Sequence, residues 1–274
     1  MILDCHIHLG KPTDTKEDFT REIASVGVDG GIIFSNAPKS FGNAKPDKDD
    51  AKNRLARVMD FTAGNENLFP FFFIDPLEGG ALEQVDMAIE AGILGFKVIC
   101  CHHYPQDDRA MKVWEYIAKR GKPILFHSGI LYNEGPSAEY NRPGNFEHLF
   151  PIGGLKFALA HISWPWVDEL VAVFGKSNYL HFEACKEGFA EMYIDLTPGT
   201  PRFYRERALR TLLEVGYVSM NDHVMFGTDG GSSYNCERNG GYIEHDNEIY
   251  DKIGISQEVR DKIYYKNLLN FIGK

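Results

Sequence analysis

Asp4-Cys5-His6-Ile7-His8 ends an apolar run at the start of the chain, and its spacing decides how the rest is read. Side chains alternate faces along a β-strand, so His6 and His8 point one way while Cys5 and Ile7 point the other. Two imidazoles on one face of one strand can chelate a single metal ion. Three later strand-like runs also end on a ligand-type residue: Pro123-Ile124-Leu125-Phe126-His127, Phe157-Ala158-Leu159-Ala160-His161 and Val224-Met225-Phe226-Gly227-Thr228-Asp229. A fourth, Gly95-Phe96-Lys97-Val98-Ile99, carries a lysine inside its hydrophobic stretch. The set reads as a metal site built by many strands of one barrel.

Working outward, short β-like runs alternate with longer helical ones. Strands are expected at Leu3–His8, Gly31–Ser35, Phe69–Asp75, Leu94–Cys100, Ile124–His127, Lys156–His161, Glu191–Leu196 and Val224–Gly227. Their starts recur at roughly the 30-residue period of a βαβ unit. Between them lie helix-period apolar positions, as in Ala51, Leu55 and Met59 of Asp49–Ala63 or Leu209, Leu212 and Leu213 of Arg202–Val215. Thr15 offers an N-cap ahead of Glu17 and Asp18. Several strands are continuous apolar runs, the mark of parallel strands covered by helices. Eight such units in this length match a (β/α)₈ TIM barrel with its site at the carboxyl ends of the strands. A doubly wound sheet would place a glycine-rich phosphate loop after the first strand, and His8-Leu9-Gly10-Lys11-Pro12 is not one. Residues 177–188 fit neither pattern. The connections Leu131–Glu147 and Gly230–Tyr242 are expected as loops over the site.

Composition narrows the function. A net charge of -10 argues against nucleic acid and anionic membrane as partners. No apolar stretch approaches the ~20 residues that span a bilayer. The start of the chain has no signal-peptide pattern, and five cysteines without framework spacing fit a reducing compartment, so a cytoplasmic location is expected. Whether copies associate as a homo-oligomer stays open.

Metal-assisted hydrolysis needs fixed nitrogen or oxygen ligands, an open position for water and a base. His6, His8, His127, His161 and Asp229 supply such donors. With these residues in view, the chain resembles the amidohydrolase superfamily of metal-dependent TIM-barrel enzymes, and most closely the small hydrolases grouped with amidohydrolase family 2. The resemblance covers nearly the whole chain, as a single metal-dependent hydrolase barrel over 1–274. It rests on Asp4-x-His6-x-His8, Gly95-Phe96-Lys97-Val98, Phe126-His127-Ser128-Gly129, Ala160-His161-Ile162, Phe226-Gly227-Thr228-Asp229 and Ile263-Tyr264-Tyr265-Lys266-Asn267. Two departures fall on substrate loops: Gly230-Gly231 follows Asp229, and Ile99-Cys100-Cys101-His102 follows the fourth strand.

The resemblance implies that His6, His8 and Asp229 hold the more buried metal, with Asp229 also taking the proton of the attacking water. His127 and His161 then ligate a second ion or, with one ion, His127 binds it and His161 polarises substrate or moves protons. Lys97 reads either as a carbamate bridging two ions or as an ammonium paired with a carboxylate such as Asp4. Zinc is the expected metal, one or two ions, although manganese, iron or cobalt suit the same donors. The expected activity is hydrolysis of an amide, lactone or related carbonyl bond in a small molecule. A metal-dependent non-oxidative decarboxylase on the same site is the alternative, and a non-catalytic binding barrel the next. Arg142, Arg202 and Arg205 are candidates to clamp a substrate carboxylate, and Trp164 to wall the site. His102 and His103 read as solvated loop residues, and Cys5 as core facing away from the site.

Overall fold

The computed structural model describes all residues except 43, 45–46, 133–136 and 184–187. All its strands are parallel and their order in the sheet follows the chain: β1 (Leu3–His8), β2 (Gly30–Phe34), β3 (Leu68–Phe73), β4 (Gly95–Val98), β5 (Ile124–Phe126), β6 (Lys156–Leu159), β7 (Glu191–Asp195) and β8 (Val224–Met225). Just beyond β8, the short β9 (Gly230–Gly231) pairs with β1, Ile7 opposite Gly230 and His8 opposite Gly231. One continuous stretch therefore bonds β7 at one end and β1 at the other, and Cys5 N–H donates to the Phe226 carbonyl at 2.9 Å in the seam between. The sheet closes on itself as a (β/α)₈ barrel.

Each expected strand is present, several one or two residues shorter at the carboxyl end. There the chain leaves the ladder and turns its last side chains into the barrel mouth. The crossovers are α1 (Lys16–Ser25), α2 (Asp50–Thr62), α3 (Ala81–Ala91), α4 (Asp108–Lys119), α5 (Ser137–Asn141), α6 (Val167–Asn178) and α7 (Arg202–Leu213); α8 (Cys236–Lys252), α9 (Gln257–Asp261) and α10 (Asn267–Ile272) follow. Thr15 caps α1 as its sequence suggests, accepting from Asp18 N–H at 3.1 Å. Two long connections are more ordered than their composition indicates. Residues 137–141 form α5, and α8 starts inside the expected loop, capped by Asn235. Gly240 within α8 sits where a Cβ would lie 3.1 Å from Val26, so packing against the end of α1 outweighs the poor helix propensity of glycine. Of the unplaced 177–188 segment, Tyr179–Glu183 continues α6 in a wider helical turn, while 184–187 lie outside the described residues.

Alternation splits the core into two layers. Ile33, Phe72, Phe96, Val98, Ile124 and Phe126 face outward against the helices. Leu3, Cys5, Ile32, Phe34, Phe69, Phe71, Leu125, Ala158, Tyr193 and Met225 fill the interior, and Leu268, Phe271 and Ile272 of α10 plug its floor. Gly95 leaves room for Phe71, whose ring would otherwise lie 2.4 Å from a Cβ. The same alternation explains how polar groups reach the mouth. Lys97 follows Gly95 by two, His127 follows Leu125 by two, and Asp195 follows Tyr193 by two. On β1 the register shifts between Asp4 and Ile7. Cys5 consequently packs in the interior beneath the site instead of facing away from it, and His6 and His8 both turn inward, their rings 4.9 and 5.2 Å from Phe34.

Candidate active site

All strands run in one direction, so their carboxyl ends share one face, and there the six donors converge. His6, His8, Lys97, His127, His161 and Asp229 line one cavity of about 220 Å³. Its remaining wall is Ile99, Ile130, Leu131, Tyr132, Pro198 and Gly199.

The centre is a triangle of donor atoms. His6 Nε2 lies 3.2 Å from His8 Nε2 and 3.5 Å from Asp229 Oδ1, and His8 Nε2 lies 3.4 Å from the same oxygen. Lys97 Nζ is 3.5 Å from His6 Nε2 and 5.0 Å from the Phe34 ring centre. The His161 ring lies 5.1 Å from that of His6 and 4.7 Å from that of His127. Two of these groups sit on unusual backbone: His161 has φ +62° and Asp229 φ +56°, left-handed conformations that cost a non-glycine residue about 1–3 kcal/mol. Gly199 lets His161 approach, since a Cβ there would stand 2.9 Å from the His161 Cβ.

Proton positions follow from the partners. His6 Nδ1 is 2.6 Å from Asp195 Oδ2, and the carboxylate only accepts, so Nδ1 carries the proton and Nε2 offers its lone pair to the cavity. Burial, with the Lys97 charge, pushes His6 down to about 3 and keeps it neutral. Burial likewise lowers His127 and His161. Burial opposes ionisation of Asp195, but His6 and the Thr197 hydroxyl outweigh it and hold the carboxyl at about 2. For Asp229 burial again works upward, yet the hydrogen bond with His8 and the pull of His6 and His161 keep it below the usual carboxylate range. Lys97 is fully buried, and burial brings it down to about 8 despite Asp195 and Asp229 nearby.

The residues fit a divalent ion. Ligands about 2.0–2.2 Å from one tetrahedral ion stand roughly 3.3–3.5 Å apart, close to the edges of the His6–His8–Asp229 triangle. His127 Nε2 and His161 Nδ1 are buried with no hydrogen-bond partner among the described residues, a costly state that a ligand would relieve. One ligand atom each from His6, His161 and Asp229 lies within 4.8 Å of the others.

Other sequence candidates lie elsewhere. Arg142 is half-exposed and paired with Glu169 at 2.7 Å, and Arg202 borders a surface hollow with Asn235 and Tyr242. Trp164 stacks toward Tyr204 beside α6 and α7, with ring centres 5.1 Å apart. None of the three lines the donor cavity. Arg205 is fully buried and bound through two nitrogens to Asp246, at 2.9 and 2.6 Å, which makes it a structural tie. Asp4 is not the partner of Lys97: it accepts from the amides of His6 and Thr228, from the Thr228 hydroxyl and from Tyr234, tying β1 to the eighth strand. Asp195 is the residue the sequence reading missed. Its signal was a lone acid in Met192-Tyr193-Ile194-Asp195-Leu196, on the inward register of an otherwise apolar strand.

Comparison with known proteins places the chain in a family. The amidohydrolase family profile matches residues 3–269, and the chain belongs to that family. Two allantoinases from strains of Desulfitobacterium hafniense are 28% and 27% identical to it over 133 residues. That match takes in 46% of this chain but only 28% of each allantoinase's length. Among solved structures, the dihydroorotase of Campylobacter jejuni superposes with a TM-score of 0.60 at 16% identity, covering 100% of this chain and 83% of that one. A Staphylococcus aureus protein assigned as an amidohydrolase gives 0.69 at 13% identity, over 100% and 99%. These structural likenesses establish the shared barrel.

Proposed function

We propose that the chain is a metal-dependent hydrolase that opens an amide-type bond in a small, cyclic, largely uncharged molecule. The observation that carries the reading is the donor triangle of His6, His8 and Asp229, with edges of 3.2–3.5 Å. Those three residues would hold a divalent ion, zinc being the metal that best suits two imidazoles and a carboxylate. Such an ion, when bound, supplies Lewis acidity that polarises a carbonyl and brings the pKa of water toward neutrality.

The protein groups divide the remaining work. Asp229, ionised and about one-third exposed, has one oxygen turned to the histidines and the other available to take the proton of the attacking water. His161, kept neutral by burial and with a ligand atom within 4.8 Å of those of His6 and Asp229, would pass a proton to the leaving nitrogen. Asp195 acts through His6, fixing its tautomer. His127 and Lys97 would complete a second ligand position. Carbamate formation needs the free amine, and at a pKa of about 8 Lys97 offers far more of it at neutral pH than an ordinary lysine does.

Substrate class follows from the walls. Among the described residues no arginine lines the cavity, and Ile99, Ile130, Leu131, Tyr132 and Pro198 give it an apolar wall, which suits a compact ring better than a carboxylate-bearing substrate for decarboxylation. The allantoinases among the similar proteins are named for allantoin, a cyclic amide without a carboxylate. The test is a panel of cyclic amides assayed with zinc-loaded protein by base consumption as the new carboxylate forms. Ring opening of at least one, slowed by at least ~10²-fold in Asp229→Asn, is expected. No turnover on the panel, or near-normal turnover in metal-loaded Asp229→Asn, would contradict the reading.

A further inference from the structure

The mouth of the barrel carries a second convergence of ligand-type side chains. Asp75 lies just past β3, and His102 and His103 just past β4. One ligand atom from each falls within 4.8 Å of the others, and none of the three lines the cavity of His6, His8 and Asp229. The pair is not the solvated doublet its sequence suggests. His103 is only 4% exposed, and its ring meets that of His102 edge to face with centres 5.2 Å apart.

Hydrogen bonds decide what this cluster can hold. His103 Nδ1 lies 3.0 Å from the Tyr104 carbonyl, which only accepts, so Nδ1 carries the proton and Nε2 the lone pair. That Nε2 is buried and has no hydrogen-bond partner among the described residues. Burial lowers the pKa of His103, which keeps the ring in its neutral, ligating form. His102 Nδ1 lies 3.1 Å from Cys101 Sγ, and its Nε2 stands 3.3 Å from Asp75 Oδ2. Asp75 is buried, and its other oxygen accepts from Leu77 N–H at 2.9 Å, which fixes the carboxylate. A simple ion pair of His102 with Asp75 would satisfy those two groups and leave His103 Nε2 with nothing. A tetrahedral ion satisfies all three, and the His102–Asp75 separation is the ligand spacing such an ion requires.

We propose that Asp75, His102 and His103 form a second transition-metal site of the zinc class, with an open position on the solvent side of half-exposed His102. An ion there ties the chain after β3 to the chain after β4, the strand that bears Lys97. It is separate from the donor cluster, and its existence does not depend on the proposed hydrolysis.

The test uses the full chain with His6→Ala, His8→Ala and Asp229→Asn, stripped by chelator and titrated with Zn²⁺ by calorimetry and with Co²⁺ by visible absorption. One equivalent should still bind, and adding Asp75→Asn or His102→Ala should weaken it by at least about tenfold. Folding is checked by circular dichroism, and because His102 is half-exposed its truncation spares the core. In the otherwise wild-type chain, His102→Ala alone should lower the Zn²⁺ count by one. No binding in the triple variant while it remains folded, or binding that His102→Ala and Asp75→Asn leave unchanged, overturns the site. The wild-type titration run alongside reports the main cluster on its own, so failure of one site is distinguishable from failure of the other.

Discussion

Asp195→Asn separates a histidine that is merely near a metal from one that is aimed at it. The Asp195–His6 contact is 2.6 Å long, both side chains are essentially inaccessible to solvent, and the carboxyl is held at about 2. Asparagine keeps the shape and can still accept from Thr197 N–H, now bonded to Asp195 Oδ1 at 2.7 Å. It cannot keep the charge, and its amide group no longer forces the proton onto His6 Nδ1. Changes to such outer partners typically cost 10–100-fold in metal affinity, or about 1.4–2.7 kcal/mol. Zinc affinity is read by competition with a chromophoric chelator, and circular dichroism checks the fold. A variant that is folded and binds zinc within twofold of wild type would refute the claim that Asp195 orients His6.

Asp246→Asn should strip Arg205 of its buried partner and destabilise the chain by about 3–5 kcal/mol, lowering Tm by roughly 5–10 °C in calorimetry. The paired change Arg205→Met with Asp246→Leu should recover most of that; a drop under 2 °C in the single variant would mean the pair is idle. Glu191 gives a pH-dependent counterpart. Burial would raise its pKa, but the hydrogen bond from His223 and the Lys156 charge prevail and hold it at about 2. A depressed carboxyl stabilises the fold above its unfolded pKa near 4.5, and that contribution is lost as pH falls toward 2. Glu191→Gln should therefore be less stable than wild type at pH 6 in urea denaturation, with the gap closing below pH 4.5; a gap independent of pH would assign the effect to packing.

The barrel was legible because its strands are apolar runs at a regular period, and parallel strands buried on both faces have no other way to read. His6, His8, His127, His161 and Asp229 were legible for a related reason: each closes such a run. Asp195 was not, because the apolar run continues through Leu196, which hid that the strand ends at Asp195, and an inward acid differs from a core residue only in what it faces. The pairing of Arg205 with Asp246, 41 residues apart, is set by how α7 meets α8 and leaves no local mark. Alternation also misled at Cys5, where the register shift on β1 changes which face is inward. The reading of His102 and His103 as solvated loop residues failed at His103, which lies past the strand yet packs inward against the ring of His102, a fold of the loop that leaves no local mark.

Metal binding by the donor triangle is tested most directly by equilibrium dialysis of chelator-stripped protein against Zn²⁺, wild type beside the His6→Ala, His8→Ala double variant. Both imidazoles lie at the barrel mouth, and the fold rests on the buried layers beneath and around it, so the variant should keep the wild-type circular dichroism spectrum. The account predicts that the variant binds at least one equivalent fewer than wild type. Equal zinc content in the two folded proteins, or no binding by wild type at micromolar zinc, would contradict it.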